Sequence, residues 1–210
     1  MRGSAFQCGL SKRLHARLMA WGSPGFDKMV AARKRALFAS LAGTVLEIGP
    51  GTGPNLNYYP KNIRWIGIEP NVFMHRYLRA EAERLGFSIE LRTGSAEPIE
   101  VGDGSVDAVV TTLVLCSVRD IDRALKEIMR VLTPGGKFYF LEHVAAPPGT
   151  GLRRLQGFLR PIWKTIADGC HPDRETGVAL RAAGFRQVEY DDFRVAVPVV
   201  GTQIAGVAVK

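Results

Sequence analysis

Val45-Leu46-Glu47-Ile48-Gly49-Pro50-Gly51-Thr52-Gly53 decides the fold of this chain. Four residues of strand character run into a turn with three glycines. Such a turn lets the backbone approach a ligand where a side chain would collide. Ligands of open α/β sheets bind at the carboxyl ends of strands that finish this way. The spacing narrows the ligand. A dinucleotide fingerprint, Gly-x-Gly-x-x-Gly, would place its third glycine at position 54. Position 54 is proline, and the last glycine is Gly53. An acid, Glu47, stands two residues before the first glycine. A buried carboxylate needs a donor; a ligand ammonium is one, whereas a pyrophosphate would be repelled.

Downstream, the chain alternates strands and helices. Strand character covers 45–48, 63–68, 88–92, 106–111, 137–141, 187–190 and 204–209. Helical character covers 72–85, 121–132, 152–167 and 175–183. That alternation predicts an α/β fold with a mostly parallel sheet covered on both faces. Leu132-Thr133-Pro134-Gly135-Gly136 reads as a helix stop and turn.

The second strand ends at Glu69, followed by Pro70 and Asn71. Glu69 lies twenty residues beyond Gly49. At this distance an acid accepts hydrogen bonds from ribose hydroxyls. Glu47 and Glu69 together suit a ligand with a cationic amino-acid end and a ribose. Ser95-Ala96-Glu97 follows the third strand, where a small residue and an acid can border an adenine. The fourth strand, from Asp107, runs into Thr112-Leu113-Val114-Leu115-Cys116-Ser117-Val118, a loop that would sit beside the ligand.

The 210 residues suffice for one domain with a short decoration, and 46% hydrophobic with 23% charged residues is ordinary globular composition. No apolar run reaches the roughly 18 residues of a membrane span. Cys8, Cys116 and Cys170 are scattered, with neither metal-ligand spacing nor a disulfide framework, so no metal is expected and the setting is cytoplasmic. Charge is uneven. Residues 1–43 carry eight Lys/Arg against one acid, net +7, while residues 44–210 carry twenty against nineteen, net +1. The chain thus divides into a basic helical leader or lid (1–43) and a near-neutral body (44–210). A neutral body disfavours a nucleic-acid partner. In the leader, Phe6, Leu10, Leu14, Leu18 and Trp21 recur at helical spacing. Gly22-Ser23-Pro24-Gly25 predicts a break before a second helix over 26–42. The leader has two readings: a lid over the ligand, or a peripheral membrane contact with its apolar side chains inserted among anionic lipids.

Taken in order, Glu47-x-Gly49-x-Gly51-x-Gly53, Glu69, Ala96-Glu97, Asp107 and Leu132-x-Pro134-Gly135-Gly136 resemble the class I S-adenosylmethionine-dependent methyltransferases of type 11. The resemblance implies a Rossmann-like seven-stranded sheet with its last strand antiparallel, and S-adenosyl-L-methionine as cofactor. It implies that Glu47, Gly49, Pro50, Gly51 and Gly53 cradle the methionine part. Glu69, with Pro70 and Asn71, would hold the ribose. Ser95, Ala96 and Glu97 would flank the adenine, with Thr112 and Leu113 alongside. A narrower resemblance rests on Thr112–Val118, Phe138-Tyr139-Phe140-Leu141-Glu142-His143-Val144, Asp168-Gly169-Cys170 and the ending Gly206-Val207-Ala208-Val209-Lys210. These look like the methyltransferase-like seven group, known as alkyl thiol methyltransferases. Animal members begin with an apolar anchoring helix, and asparagine follows their Asp-Gly-Cys; here the leader is basic and residue 171 is histidine.

The resemblance implies methyl transfer to a small, hydrophobic acceptor, with a thiol favoured over a phospholipid amine or a quinone-type phenol. A small thiol ionises near pH ~8.5, so a strong base is not required. Were a base used, His143 is the first candidate, since it follows a strand's C-terminal end; His171 and Asp168 come next. A catalytically inactive cofactor-binding protein is the reading of a different class; intact Glu47, Gly49, Gly51, Gly53 and Glu69 argue against it. The sequence leaves the oligomeric state open.

Overall fold

A computed structural model describes residues 3–210, with side chains described except at 1–8 and 22–24. In chain order the elements are α1 (Gly3–Phe38), β1 (Thr44–Ile48), a 3-10 turn (Pro54–Asn57), β2 (Arg64–Ile68), α2 (His75–Leu85), β3 (Glu90–Arg92), β4 (Val106–Thr112), α3 (Ile121–Val131), β5 (Leu132–His143), α4 (Gly151–Ile166), α5 (Thr176–Ala182), β6 (Gln187–Arg194) and β7 (Thr202–Val209). The seven strands form one sheet ordered β3-β2-β1-β4-β5-β7-β6. Strand β7 lies antiparallel between β5 and β6, and the pairs among β1–β5 are parallel. The expected sheet is therefore the observed one. Its strand order reverses between β1 and β4, so the carboxyl ends of β1, β2, β4 and β5 open onto one crevice, the ligand edge of such folds.

Period-2 alternation sends successive side chains to opposite faces of the sheet. Leu46, Ile48, Ile66, Ile68, Val109, Phe138 and Phe140 pack on one side with Leu125 and Ile128 of α3. Val45, Trp65, Ala108, Val110 and Tyr139 pack on the other with Phe38 of α1 and Leu78 of α2. Burial on both faces explains why these strands read as continuous apolar runs rather than alternating ones. Asp120 caps α3 by accepting from Arg123 N at 3.0 Å, and Thr150 caps α4 by accepting from Arg153 N at 3.2 Å.

Two expectations about elements change. The turn at Thr133–Gly136 lies inside β5 as a bulge: Val106 pairs with Leu132, yet Ala108 pairs with Lys137. The predicted break at residues 22–25 is also absent. A single 36-residue helix, α1, runs from Gly3 to Phe38. Tertiary contacts at both ends offset the propensity cost of glycine and proline inside it. Near its start, Asn71 Nδ2 donates to the Lys12 carbonyl at 3.1 Å and the Arg13 guanidinium sits 4.8 Å from the Phe73 ring centre. Near its end, Phe38 is fully buried and the buried Lys34 ammonium pairs with Asp27 at 2.7 Å. Leu10, Leu14, Leu18 and Trp21 remain exposed, with Trp21 at 91%. Phe6 and Cys8 lie outside the described side chains.

Candidate functional site

The glycine turn folds as its spacing demands. Gly49, Gly51 and Gly53 take φ of +63°, +58° and +87°, the left-handed region. They differ in what surrounds them. A Cβ on Gly49 would meet Val114 at 2.7 Å, and one on Gly53 would meet Leu78 at 2.5 Å. At Gly51 the nearest atom is Met74 Sδ, at 3.8 Å. The middle glycine thus faces open space in the crevice, a cradle for a ligand backbone rather than a packing contact.

Glu69 closes this cradle. Its Oε2 accepts from Gly51 N at 3.0 Å and its Oε1 from Asn71 N at 2.8 Å. Each oxygen keeps a lone pair free for a further donor, since a carboxylate offers about four acceptor sites. Burial pushes its pKa up, against the pull of those two N–H groups. Asn71 Oδ1 in turn accepts from Phe73 N at 3.1 Å.

Glu47 is arranged differently from the expectation. It is 1% exposed, and its oxygens accept from Asn55 Nδ2 at 2.7 Å and Trp65 Nε1 at 3.0 Å. The donor that a buried carboxylate needs is supplied twice by the protein itself, from Asn55 and Trp65. Burial raises its pKa, opposed by these hydrogen bonds and the Lys34 charge. Strand register explains the indole. Gly67 pairs with Glu47 across β1–β2, and a Cβ there would overlap the Trp65 ring, so glycine makes room for the ring to reach Glu47. Asn55 Nδ2 also donates to Thr112 Oγ1 at 3.0 Å, tying the glycine turn to the end of β4. Its Oδ1 is buried without a partner among the described residues, an acceptor left at the cradle. Asn55 Oδ1, the space beside Gly51 and the Glu69 carboxylate are the features here that would fit a ligand carrying an ammonium and a ribose. Sequence reasoning missed Asn55 and Trp65; an asparagine two residues past the last glycine carries no signal until the turn folds back on β1.

Ala96 is buried in the core on the α3 side. Ser95 Oγ accepts from Glu97 N at 3.2 Å. The Glu97 carboxylate accepts from Arg119 N at 2.8 Å and Asp120 N at 3.1 Å, ahead of α3. Leu113 has φ +57°, rare for a bulky residue, and donates its N–H to the Leu141 carbonyl at 2.9 Å. Such strain persists only where surroundings enforce it. Asp107 lies at the opposite edge and accepts from Thr44 N at 2.8 Å, a structural role. Tyr59 packs edge-on against Phe38 at 5.1 Å, and Tyr58 Oη donates to Asp27 at 2.5 Å, so both tyrosines hold α1.

The second half of the crevice lies past β4 and β5. Glu142, fully buried, accepts from Val114 N at 3.2 Å and Leu115 N at 3.1 Å, which fixes the loop after β4. Arg174 clamps the same loop, donating to the Leu115 and Val118 carbonyls at 2.6 and 2.7 Å. His171 N donates to the Cys116 carbonyl at 2.9 Å. Of the three acceptor-side candidates, His143 is 3% exposed and its Nε2 lies 2.9 Å from Cys170 Sγ. Asp168 is exposed, with φ +45°, and its charge adds to the upward push on Glu69. His171 is half-buried; burial and then the Arg174, Lys164 and Arg160 charges hold its pKa down. The reading of the cysteines as scattered is corrected. Cys116 and Cys170 are buried and meet at His143, the ligand atoms all within 4.8 Å of one another. Trp163 Nε1 donates to Cys170 Sγ at 3.3 Å. The neighbouring Cys116 thiol, together with His143 and Trp163, holds the Cys170 pKa down, while Cys116 is pushed up.

Comparison with known proteins agrees with this geometry. Residues 46–140 match the family described as "Methyltransferase domain". The human thiol S-methyltransferase TMT1A is 39% identical over 198 residues, covering 88% of this chain and 81% of that protein. Human thiol S-methyltransferase TMT1B is 36% identical, covering 96% and 88%. The fold is similar to that of the YcgJ protein of Bacillus, with a TM-score of 0.68 at 14% identity over 88% of this chain and 98% of that one. The chain belongs to the class I S-adenosylmethionine-dependent methyltransferases, in the group that contains the human thiol S-methyltransferases.

Proposed function

We propose that this enzyme transfers a methyl group from S-adenosyl-L-methionine to the sulfur of a small hydrophobic thiol. The observation that carries the reading is the acceptor end of the crevice. Cys116, His143 and Cys170 form a soft, buried cluster past the ends of β4 and β5, on the side we assign to the acceptor, while the carboxylates nearby are either engaged by backbone N–H groups, like Glu142, or exposed, like Asp168. The names of the 39% and 36% identical human relatives support the same acceptor.

The cofactor supplies a methyl group already activated on a sulfonium. The residues of this chain bind and orient. Gly51 gives the methionine part access to the backbone, Asn55 Oδ1 accepts from its ammonium, and Glu69 accepts from the ribose. Ala96 and Ser95 border the adenine pocket, and Thr112 and Leu113 close the wall between the two ends. Holding an acceptor within reacting distance supplies much of the rate enhancement when the electrophile is preactivated. Were a protein base used to take the thiol proton, His143 is the first candidate, with His171 and Asp168 after it.

Turnover against an alkyl thiol, a phenol and a phospholipid amine tests the acceptor. Methylation of the amine or phenol beside inactivity on the thiol would reject it. A lipid-borne acceptor is the second reading, favoured by apolar side chains left exposed next to basic ones. Leu10, Leu14, Leu18 and Trp21 on α1 flank Arg13 and Arg17; Phe158, Ile162 and Ile166 on α4 flank Arg160 and Lys164. Among the described residues no helix is long and apolar enough to cross a membrane. The proposed contact is peripheral, with the body on the cytoplasmic side. Co-sedimentation with anionic vesicles tests it; binding unaffected by Leu14→Ser with Trp21→Ser would remove α1 from the contact.

A further inference from the structure

We propose that Cys116, His143 and Cys170 form a three-ligand site for zinc whose fourth position takes the sulfur of the acceptor thiol. The inference rests on the thiol reading above and deepens it.

Three segments meet here: the loop after β4, the last residue of β5, and the loop after α4. Their ligand atoms lie within 4.8 Å of one another. Tetrahedral zinc has Zn–S near ~2.3 Å and Zn–N near ~2.0–2.1 Å. Ligand atoms around it are then roughly 3.3–3.8 Å apart. Closing the cluster onto an ion therefore needs shifts of about 1 Å, with the His143–Cys170 hydrogen bond opening by less than that. Exposures of 2%, 3% and 6% for Cys116, His143 and Cys170 keep competing water away. The donor set is sulfur and imidazole without carboxylate, which favours zinc over magnesium or calcium.

The surroundings suit a site held open for an ion. Trp163 donates to Cys170 Sγ, and the Cys116 thiol spends its proton on the Leu113 carbonyl at 3.4 Å. Arg174 fixes the loop that carries Cys116. His143 Nδ1 is buried without a partner among the described residues, so the ring is tied in place only through Cys170. Structural zinc sites are closed by four protein ligands, whereas three protein ligands leave a position for substrate, and two cysteines with one histidine is a known set of that kind.

The chemistry balances. A coordinating thiol loses its proton outright. The acceptor R–SH binds the ion as thiolate and its proton leaves to solvent; with the ion bound, His143 is a ligand and no longer serves as base. A sulfur lone pair of that thiolate forms the new S–CH3 bond while the methyl–sulfonium bond of the cofactor breaks. The products are R–S–CH3 and S-adenosylhomocysteine, both thioethers at sulfur. A neutral thioether is a weaker ligand than a thiolate, which frees the position.

The test is metal content and cobalt spectroscopy on the full chain, purified under reductant. About one zinc per chain is expected. After chelation and Co(II) loading, the visible bands of a tetrahedral site and a near-ultraviolet sulfur-to-cobalt band should appear. Both should change when an alkyl thiol is added without cofactor. Cys116→Ser should weaken the charge-transfer band, and Cys170→Ser should abolish the tetrahedral spectrum, with circular dichroism and thermal melting checking that each variant folds. Trp163→Phe, which keeps all three ligands, should shift the band without losing it. Substoichiometric metal with no cobalt spectrum in the wild type overturns the site. A cobalt spectrum indifferent to thiol overturns the acceptor position. Thiol turnover by a metal-free enzyme overturns the site and leaves the thiol reading standing; a thiol-responsive cobalt site without thiol turnover overturns that reading instead.

Discussion

The two ends of the crevice satisfy their buried polar groups in opposite ways. At the β1–β2 end, each carboxylate has protein donors before any ligand arrives: Glu47 has Asn55 and Trp65, and Glu69 has two backbone N–H groups. At the β5–α4 end, three soft side chains lean on one another, and His143 keeps a buried nitrogen with no partner. The first end is preorganised by local turns and the strand register. The second is assembled from distant segments and left short of hydrogen bonds. A cofactor shared across a family suits the first arrangement, and a variable acceptor suits the second.

The β1–β2 end is most sensitive at Gly67. Gly67→Val should drive the Trp65 ring away and leave Glu47 with one donor. Overpacking costs about 1–3 kcal/mol and a lost hydrogen bond to a charged group about 1.5–3. Chemical denaturation should show a loss of roughly 3–5 kcal/mol on those two counts. A change under ~1 kcal/mol, the range of an ordinary surface substitution, would show that the indole is not locked there.

Next in size is Glu69→Ala. Removing a charged acceptor of ribose hydroxyls and of Gly51 N should weaken S-adenosylmethionine by about 100-fold in calorimetry, near 2.7 kcal/mol. The fold should survive, since this carboxylate, though buried, belongs to neither apolar cluster and its loss frees only two backbone N–H groups. Unchanged affinity would remove Glu69 from the site.

The acceptor end answers to a milder change. Trp163→Phe removes one N–H donor from Cys170 and keeps most of the ring's bulk. We expect KM for a thiol to rise about three- to tenfold, under ~1.4 kcal/mol, with cofactor affinity unchanged. An equal loss of cofactor affinity would mean the two ends are not separable.

The smallest effect belongs outside the crevice. Arg130 donates twice to Glu127, at 2.8 Å each, and holds its pKa down to about 2. A depressed carboxylate stabilises the fold above its ordinary pKa of 4.5 and loses that contribution as pH falls toward 2. Because the pair is partly exposed, screening limits it to about 0.2–1 kcal/mol. Glu127→Gln should lower the melting temperature slightly at pH 7 and flatten its decline between pH 5 and 3. An unchanged acid limb would mean that other carboxylates set it.

Much of the first end was legible without coordinates. Gly49, Gly51, Gly53 and Glu69 sit within one βαβ stretch, so their spacing encodes their geometry. Glu47 was legible as buried and paired, but its partners were not: Trp65 reaches it across the strand register, through space that Gly67 vacates. The long β5 was read short because Pro134-Gly135-Gly136 signals a turn, and the sheet absorbs that turn as a bulge. The break at residues 22–25 failed for a similar reason, since contacts from Asn71 and Phe73 hold the early turns of α1.

The parallel sheet, the glycine turn and the acid that ends the second strand follow from the order of the residues alone, because short-range spacing and hydrophobic period are properties of neighbouring residues. That Cys116, His143 and Cys170 share one buried point comes from the folded chain. They are separated by 27 residues in each interval. What joins them is the adjacency of β4 and β5 in the sheet and the return of the chain through α4. No spacing rule records such a meeting.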